Sequence, residues 1–486
     1  MRIARALIIV AALPAALLTA PAVTAAPTGP AVLHVGQIAR ENVAPRLGSE
    51  PDTLVEPDIA VNPQDPLVAV AAFHDGRYAD GGAVDIGYAW THDGGRSWHD
   101  APVPYLTRGV GGPWARASDP VLAFAADGTA YLSVLVFQAK TCAAGITVQR
   151  STDGGATWSR PVLAHVSRSC TYSDDKNWIT VDQHPTSPHY GRVYQFWTPF
   201  RFTVSGRFLG APQALRWSDD KGMHWSSTHY VSGLRQNTQD SQPMIRRDGT
   251  LVDAYLRYPA GSHDDPEHHG SGFAQRLPVH AFAARSAAVA LVARTSIDGG
   301  ATWSGESVIT PDSGGGPADV RCCLPSAVAD PVTGGLYATW IAHGPGMPVV
   351  LSRSVDGQHW SMPVRVDRDG SHASGQHVNI DVTADHGRVF VSYGTRDAST
   401  TTSARYVQQK LSASYNAGAS FAAPTAIGPR SDLKFSAFAG ADFPGDYTGS
   451  ASTSNRVYVV WARSSRPSGA HPGPHHQVLY AAALAP

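Results

Sequence analysis

An excess of charge of either sign is missing from this chain: 38 Lys and Arg stand against 39 Asp and Glu, a formal net charge of −1 over 486 residues. The balance excludes the broad basic surface by which proteins hold nucleic acid or an anionic membrane face. Any acidic ligand must then be gripped by local arginines. Cysteine is almost as scarce, with only Cys142, Cys170, Cys322 and Cys323. Their spacing matches no structural zinc motif, so neither a metal site nor any cofactor is expected. Long apolar runs are absent but for one, from Ala6 to about Val23, which follows Arg2 and Arg5, is broken by Pro14 and Pro21, and ends in Thr24, Ala25 and Ala26. This pattern reads as a secretory signal occupying residues 1–26. No second run is long enough to span a bilayer, and no cysteine follows the signal for lipid attachment. The mature protein is therefore expected to be secreted, soluble and monomeric. An oxidising compartment allows Cys142 and Cys170 to pair, while the adjacent Cys322 and Cys323 form either a vicinal disulfide or two buried thiols.

What the chain does contain is a repeat. STDGGATW, Ser151 to Trp158, returns as THDGGRSW around Asp93, SDDKGMHW around Asp220, SIDGGATW around Asp298, SVDGQHW around Asp356 and SYNAGASF around Asn416, at intervals of 58 to 78 residues. A period of this length signals a repeat architecture. Within the motif the Asp carboxylate caps backbone N–H groups of a tight turn, Gly supplies positive φ, and Trp fills the gap beside the turn. A carboxylate engaged in its own turn is not free for chemistry, so these residues are read as structural.

Between the turns, short apolar strands recur in a fixed order. The opening strands are PDIAVNP, DPVLAFAADG, NWITVDQ, QPMIRRDG, LPSAVADP, HVNIDVTAD and DYTGSAST. Each is followed by a second strand such as LVAVAAF, RVYQFWT or RVYVVWA, and then by a third that runs into the turn. The last unit, ending in QVLYAAAL, is one strand short, and Val32 to Ile38 can supply it.

The turn motif resembles the Asp-box of the sialidase-like β-propellers. That resemblance implies an all-β fold, a seven-bladed propeller (six-bladed as the alternative) of four-stranded antiparallel blades over residues 31–486. It also implies a glycan substrate, held at one mouth of the axial channel. Sialidases combine a Tyr nucleophile and its Glu partner, an Asp acid/base and three arginines that hold the sugar carboxylate. The segment AFHDGRYADGGAVDIGYAW is similar to the stretch that carries the acid/base and nominates Asp80 or Asp85, with Arg77 nearby. DSQPMIRRDGTLVDAYLR is similar to the stretch running from the catalytic Glu to the second arginine, nominating Asp240 and Arg257. DYTGS nominates Tyr447 as nucleophile, and Arg321 is a third arginine. Arg116, Asp119 and Arg396 complete the expected substrate-binding rim. Where the family opens its first inner strand with Arg-Ile-Pro, this chain has Glu56-Pro57-Asp58.

The resulting expectation is an exo-glycosidase that removes a terminal acidic sugar, of sialic acid or uronate type. Two alternatives accompany it: a lyase using His377, His343 or Tyr393 as base on a uronate, and a non-catalytic propeller that binds glycan or protein. Two His-rich loops, Ala260 to about Ala287 and His471 to His476, are read as solvated.

Overall fold

The computed structural model describes residues 29–259, 289–368, 375–397, 405–469 and 473–486. The expected signal, the 260–287 insertion and His471 lie outside the described residues. Almost all regular structure is β, and among the described residues no helix is long and apolar enough to cross a membrane.

The strands fall into antiparallel groups of four that follow one another along the chain. The first comprises Leu54–Val61, Ala69–Arg77, Ala83–Thr91 and His99–Pro102, and the second opens with Arg116–Phe124. A single pair, Ala83 with Ala117, stitches these two together. Later groups open with Tyr172–Val181, Asn237–Ile245, Ser326–Ala329, Gly375–Asp385 and Gly449–Ser452. In the last group the outermost strand is Ala31–Ala39, paired antiparallel with Gln477–Ala485. The second strand of each group is mainly apolar and wholly buried in its middle, as in Ala130–Phe137 and Leu336–Ile341. Such runs form because each sheet is packed between two others. Opening strands lie against one another in chain order, and Gly449–Ser452 returns to Leu54–Val61.

The repeated turns join third to fourth strands and share one hydrogen-bond pattern. At Asp93, Thr91 Oγ1, the N–H groups of Arg96 and Ser97, and Ser97 Oγ all donate to the carboxylate at 2.6–3.0 Å, while Gly95 N–H donates to Thr91 Oγ1. Asn416 keeps the geometry through its amide oxygen, which accepts from Ser414 Oγ and Ser420 N–H. Burial opposes ionisation at Asp93, but bonds from Ser97, Thr91 and Arg96 hold its carboxyl down to about 2. The turn glycine is required twice over at Gly155. Its φ of +91° suits only glycine, and a Cβ there would sit 2.4 Å from Val70 of the preceding sheet. Gly95 packs in the same way on Ala483 and Tyr458 of the last sheet, so each turn clamps its sheet to the one before it.

Both cysteine pairs are joined, Cys142 to Cys170 and Cys322 to Cys323. The first ties the connection after Ala130–Phe137 to the approach of Tyr172–Val181.

Asp298 accepts from Ser296 Oγ, Thr302 N–H and Thr302 Oγ1. Asp298→Ala is expected to cost about 1–2 kcal/mol, read as a lowered Tm, with Asp298→Asn retaining part of the loss. An unchanged Tm in both would mean that the glycines alone set the turn.

Candidate functional site

The inner strands break register at one level. In five sheets two inner-strand residues stand opposite one residue of the second strand, between Val55 and Asp58, Ser118 and Val121, Asp175 and Trp178, Gln239 and Gln242, and Val378 and Asp381. Each bulge contains a non-glycine residue with φ between +47° and +63°: Glu56, Asp119, Lys176, Asp240 and Asn379. In the remaining two sheets positive φ falls at Cys323 and Gly445, just ahead of the inner strand. A left-handed residue with a side chain costs on the order of 1–2 kcal/mol, and strain of this kind concentrates at functional sites. Five such residues at one level, all charged or amide-bearing and all buried, define the candidate site.

Around the first two sheets, His74 Nε2 lies 3.1 Å from Glu56 Oε2 and 3.9 Å from Asp119 Oδ1. The N–H of Asp119 donates to the same Nε2 at 2.8 Å. Asp119 Oδ2 accepts from the N–H of Lys176, and Oδ1 from Ser118 Oγ. The Lys176 ammonium has no hydrogen-bond acceptor. It rests on the rings of Tyr447, 3.5 Å from the centroid, and Trp178, 4.7 Å away, a desolvated cation–π seat. Asp240 is fully buried. Its Oδ1 accepts from Gln242 Nε2, and its Oδ2 has no partner. Desolvation pushes this carboxyl up to about 6 against the pull of Lys176, and the charges of Asp446 and Asp175 add to the rise. Asn379 Oδ1 is also without a partner.

The sequence-nominated residues divide clearly. Asp119 and Asp240 belong to the bulge ring, and Tyr447 lies beside it. The Tyr447 hydroxyl donates to the Pro120 carbonyl at 3.4 Å, and burial raises it well above the ordinary phenol range, followed by the charge of Glu56. Asp80 is exposed and pairs with Arg116 at 2.7 Å, whose guanidinium covers Tyr78. Asp85 is buried in a third strand opposite Asp75, and burial raises both carboxyls well above the usual range. It does not join the ring. Arg77 is buried against Glu50, the Phe438 carbonyl and the Phe443 ring. Arg257 pairs with Glu306 at 2.6 Å. Arg321 forks onto Asp446 at 3.1 and 3.3 Å, and Arg396 onto Asp319, with Gln376 at 2.9 Å. Every nominated arginine therefore holds a carboxylate of the protein itself.

His74 was not anticipated. It directly follows the apolar run Ala69–Phe73 and opens the polar end of the same strand, ahead of Asp75 and Arg77. The ring itself is visible once the segments EPDIAV, DPVLAF, KNWITV, DSQPMI and NIDVTA are stacked, because their first letters are its five members.

Below the ring the axis opens into a cavity of about 510 Å³ lined by inner-strand residues that include Asp58, Trp178, Gln242, Ser326, Asp381 and Ser450. Asp58 is pushed up to about 7 by burial and by the Asp381 charge, and Asp381 to about 6 by burial.

No protein-family model matches the chain, and no curated protein matches it. Among solved structures it is similar to a protein of unknown function from Dyadobacter fermentans, at 16% identity and a TM-score of 0.45 over 93% of this chain and 99% of that one. An α-L-arabinanase of Penicillium chrysogenum crystallised with arabinobiose gives 13%, 0.47, 79% and 94% in the same order. A Hadza microbial sialidase gives 14%, 0.46, 87% and 74%. At these identities and scores the likenesses add nothing to what the chain's own residues show.

Asp253, whose Oδ1 accepts from Ser241 Oγ while Oδ2 has no partner, is pushed up to about 8 by burial. A carboxyl raised in the folded state binds a proton that the unfolded chain releases, so its contribution is complete at low pH and lost as pH rises from about 4 through about 8. Asp253→Asn is expected to gain Tm relative to the parent progressively across that window. Equal offsets at pH 5 and pH 8.5 would show that the carboxyl does not titrate there.

Proposed function

We propose that this chain is an exported seven-bladed β-propeller that hydrolyses a terminal glycosidic bond at the axial ring. The observation that carries the reading is the buried Asp240 carboxyl, raised by burial, with the charge of Asp446 adding to the rise. Asp240 is a buried acid raised to about 6, with one oxygen unbonded, and the nearby Asp446 carboxylate is held by the Arg321 fork. Glycoside hydrolysis uses two carboxyl groups in unlike environments, one as proton donor to the leaving oxygen and the other in the opposite role. Asp240 is the proton donor. Asp446 is the base or nucleophile.

Tyr447 does not suit the nucleophile role in this geometry, because its hydroxyl is given to Pro120 and its ring seats Lys176. Of the alternative bases for an elimination, Tyr393 bonds Ser412, while His377 and His343 meet the Met347 carbonyl and Asp312 through Nδ1, the arrangement that orients an imidazole as a base.

The arginines bear on the substrate. A sugar acid needs guanidinium groups with free forks, whereas Arg257, Arg321 and Arg396 each neutralise an internal carboxylate. A neutral terminal sugar, recognised through its hydroxyls, fits this rim better than the acidic sugar suggested by the sequence.

The purified protein is to be assayed for sugar release from neutral aryl glycosides and from sialosides in parallel. Turnover of a neutral glycoside is expected, with kcat/KM falling above about pH 6 as the Asp240 proton is lost. Asp240→Asn is expected to remove activity by about 10²-fold or more without lowering Tm. Release of sialic acid that is abolished by Arg257→Ala would reject the neutral-sugar reading, and full activity in Asp240→Asn would reject the catalytic assignment.

A further inference from the structure

We infer that the Cys322–Cys323 disulfide is a redox-cleavable clamp that positions Asp446, so that its reduction to two thiols releases the anionic partner of the proposed acid. Its catalytic meaning rests on the hydrolysis proposed above; the clamp itself rests on the bonds made around Asp446.

Asp446 lies in the irregular approach to Gly449–Ser452, outside any β-ladder. Residues 321–324 hold it instead. The N–H groups of Cys323 and Leu324 both donate to the Asp446 carbonyl at 3.1 Å, and the Arg321 guanidinium forks onto the carboxylate at 3.1 and 3.3 Å. Arg321 N–H donates to the Asp442 carbonyl at 2.9 Å, and Asp446 N–H donates to Glu56 at 3.2 Å.

Consecutive N–H groups converge on one oxygen when a left-handed residue bends the backbone between them, and Cys323 has a φ of +87°. A residue with a side chain resists that conformation. The disulfide imposes it, because joining adjacent residues closes a small covalent ring in which the φ of Cys323 is one of the torsions. Packing adds a second restraint. Both cysteines are buried, and a Cβ at Gly316 would stand 2.6 Å from each sulfur, so the pair lies flat against the main chain there. Two thiols need a wider separation than one S–S bond, and the Gly316 contact leaves no slack on that side.

A dithiol completes the reaction. One of its thiolates attacks a sulfur of the pair, the S–S bond breaks, and closure of the dithiol to its own disulfide leaves Cys322 and Cys323 as thiols, the dithiol having given up two electrons and two protons. Positive φ is then no longer imposed at Cys323. The Asp446 carbonyl loses its two converging donors, and the Arg321 fork, part of the same segment, moves with them.

The test uses the full mature protein with and without a small dithiol, the reduced pair being identified by alkylation and mass spectrometry, because the more exposed Cys142–Cys170 is reduced as well. A Cys142→Ser/Cys170→Ser variant treated in the same way isolates the vicinal pair. Amide hydrogen exchange is expected to quicken by about tenfold or more in peptides covering 320–326 and 442–448 of the reduced, folded protein, with Leu336–Ile341 unchanged. Turnover of the neutral glycoside is expected to fall by about tenfold or more in kcat at unchanged KM, and to return on reoxidation. Cys322→Ala/Cys323→Gly is expected to keep more of the exchange protection than Cys322→Ala/Cys323→Ala, because glycine accepts positive φ. Unchanged exchange in protein whose vicinal pair is reduced, or reduction that occurs only on global unfolding, overturns the clamp. Quickened exchange in protein that turns over no glycoside in either state upholds the clamp and rejects the hydrolysis instead. The dithiol-treated parent decides the matter even where a variant does not fold.

Discussion

The sheets of this protein are held in a ring by polar groups that cross from one inner strand to the next, at the level of the bulges and just below it. Asp446 N–H bonds Glu56, Asp58 accepts from Leu122 N–H, and Asp119 accepts from Lys176 N–H. Gln239 Nε2 then bonds Asp175, and Gln242 receives Ala327 N–H. Ser326 Oγ and Ser450 Oγ both donate to Asp381. Among the described residues neighbouring sheets are joined by only isolated backbone bridges, such as Ala83–Ala117, Thr53–Gln477 and Ala211–Asn237, so polar closure of the axis falls to this belt. A network of buried acceptors is worth having only if nearly every member is satisfied, which explains why the belt tolerates so few apolar residues.

The belt also accounts for the strain. The extra residue in each bulge breaks the alternation of the inner strand, and positive φ at Glu56, Asp119, Lys176, Asp240 and Asn379 accompanies it. Structure and chemistry thus share the same atoms. Asp58 and Asp381 serve closure, with hydrogen bonds on their oxygens. Lys176 Nζ, Asp240 Oδ2 and Asn379 Oδ1 are left without partners, and this remainder faces whatever enters the axis.

Much of the architecture was legible in the sequence, because turns that spend an Asp, a Gly and a Trp on a local purpose must repeat their letters. The missing strand of the last unit was legible for the same reason, as a gap in a regular count. The site was less so. Asp240 and Asp119 stood out as acids at the start of inner strands, but a ring of bulges has no period within any one strand, and it appears only when strands from different sheets are stacked. Arg77, Arg257, Arg321 and Arg396 look alike in sequence as free cations. Their partners Glu50, Glu306, Asp446 and Asp319 lie 27 to 125 residues away, beyond what local pattern reveals. His74 was hidden by its neighbours, Asp75 and Arg77 being the more evident charges at the end of the same strand.

The strand Ala31–Ala39 completes a sheet whose other members are Gly449–Ser452, Val457–Ser464 and Gln477–Ala485. The pairing joins the two ends of the described fold, and it is the contact of greatest sequence separation in the molecule. Loop closure over that span comes last in any folding route governed by contact order. Until the two strands meet, the last sheet stops at three strands and Gln477–Ala485 is a bare edge, although the axial belt, closed by Asp446 N–H on Glu56 and Ser450 Oγ on Asp381, does not need them. Holding Ala31–Ala39 in place therefore guards the protein against edge-to-edge association with another chain.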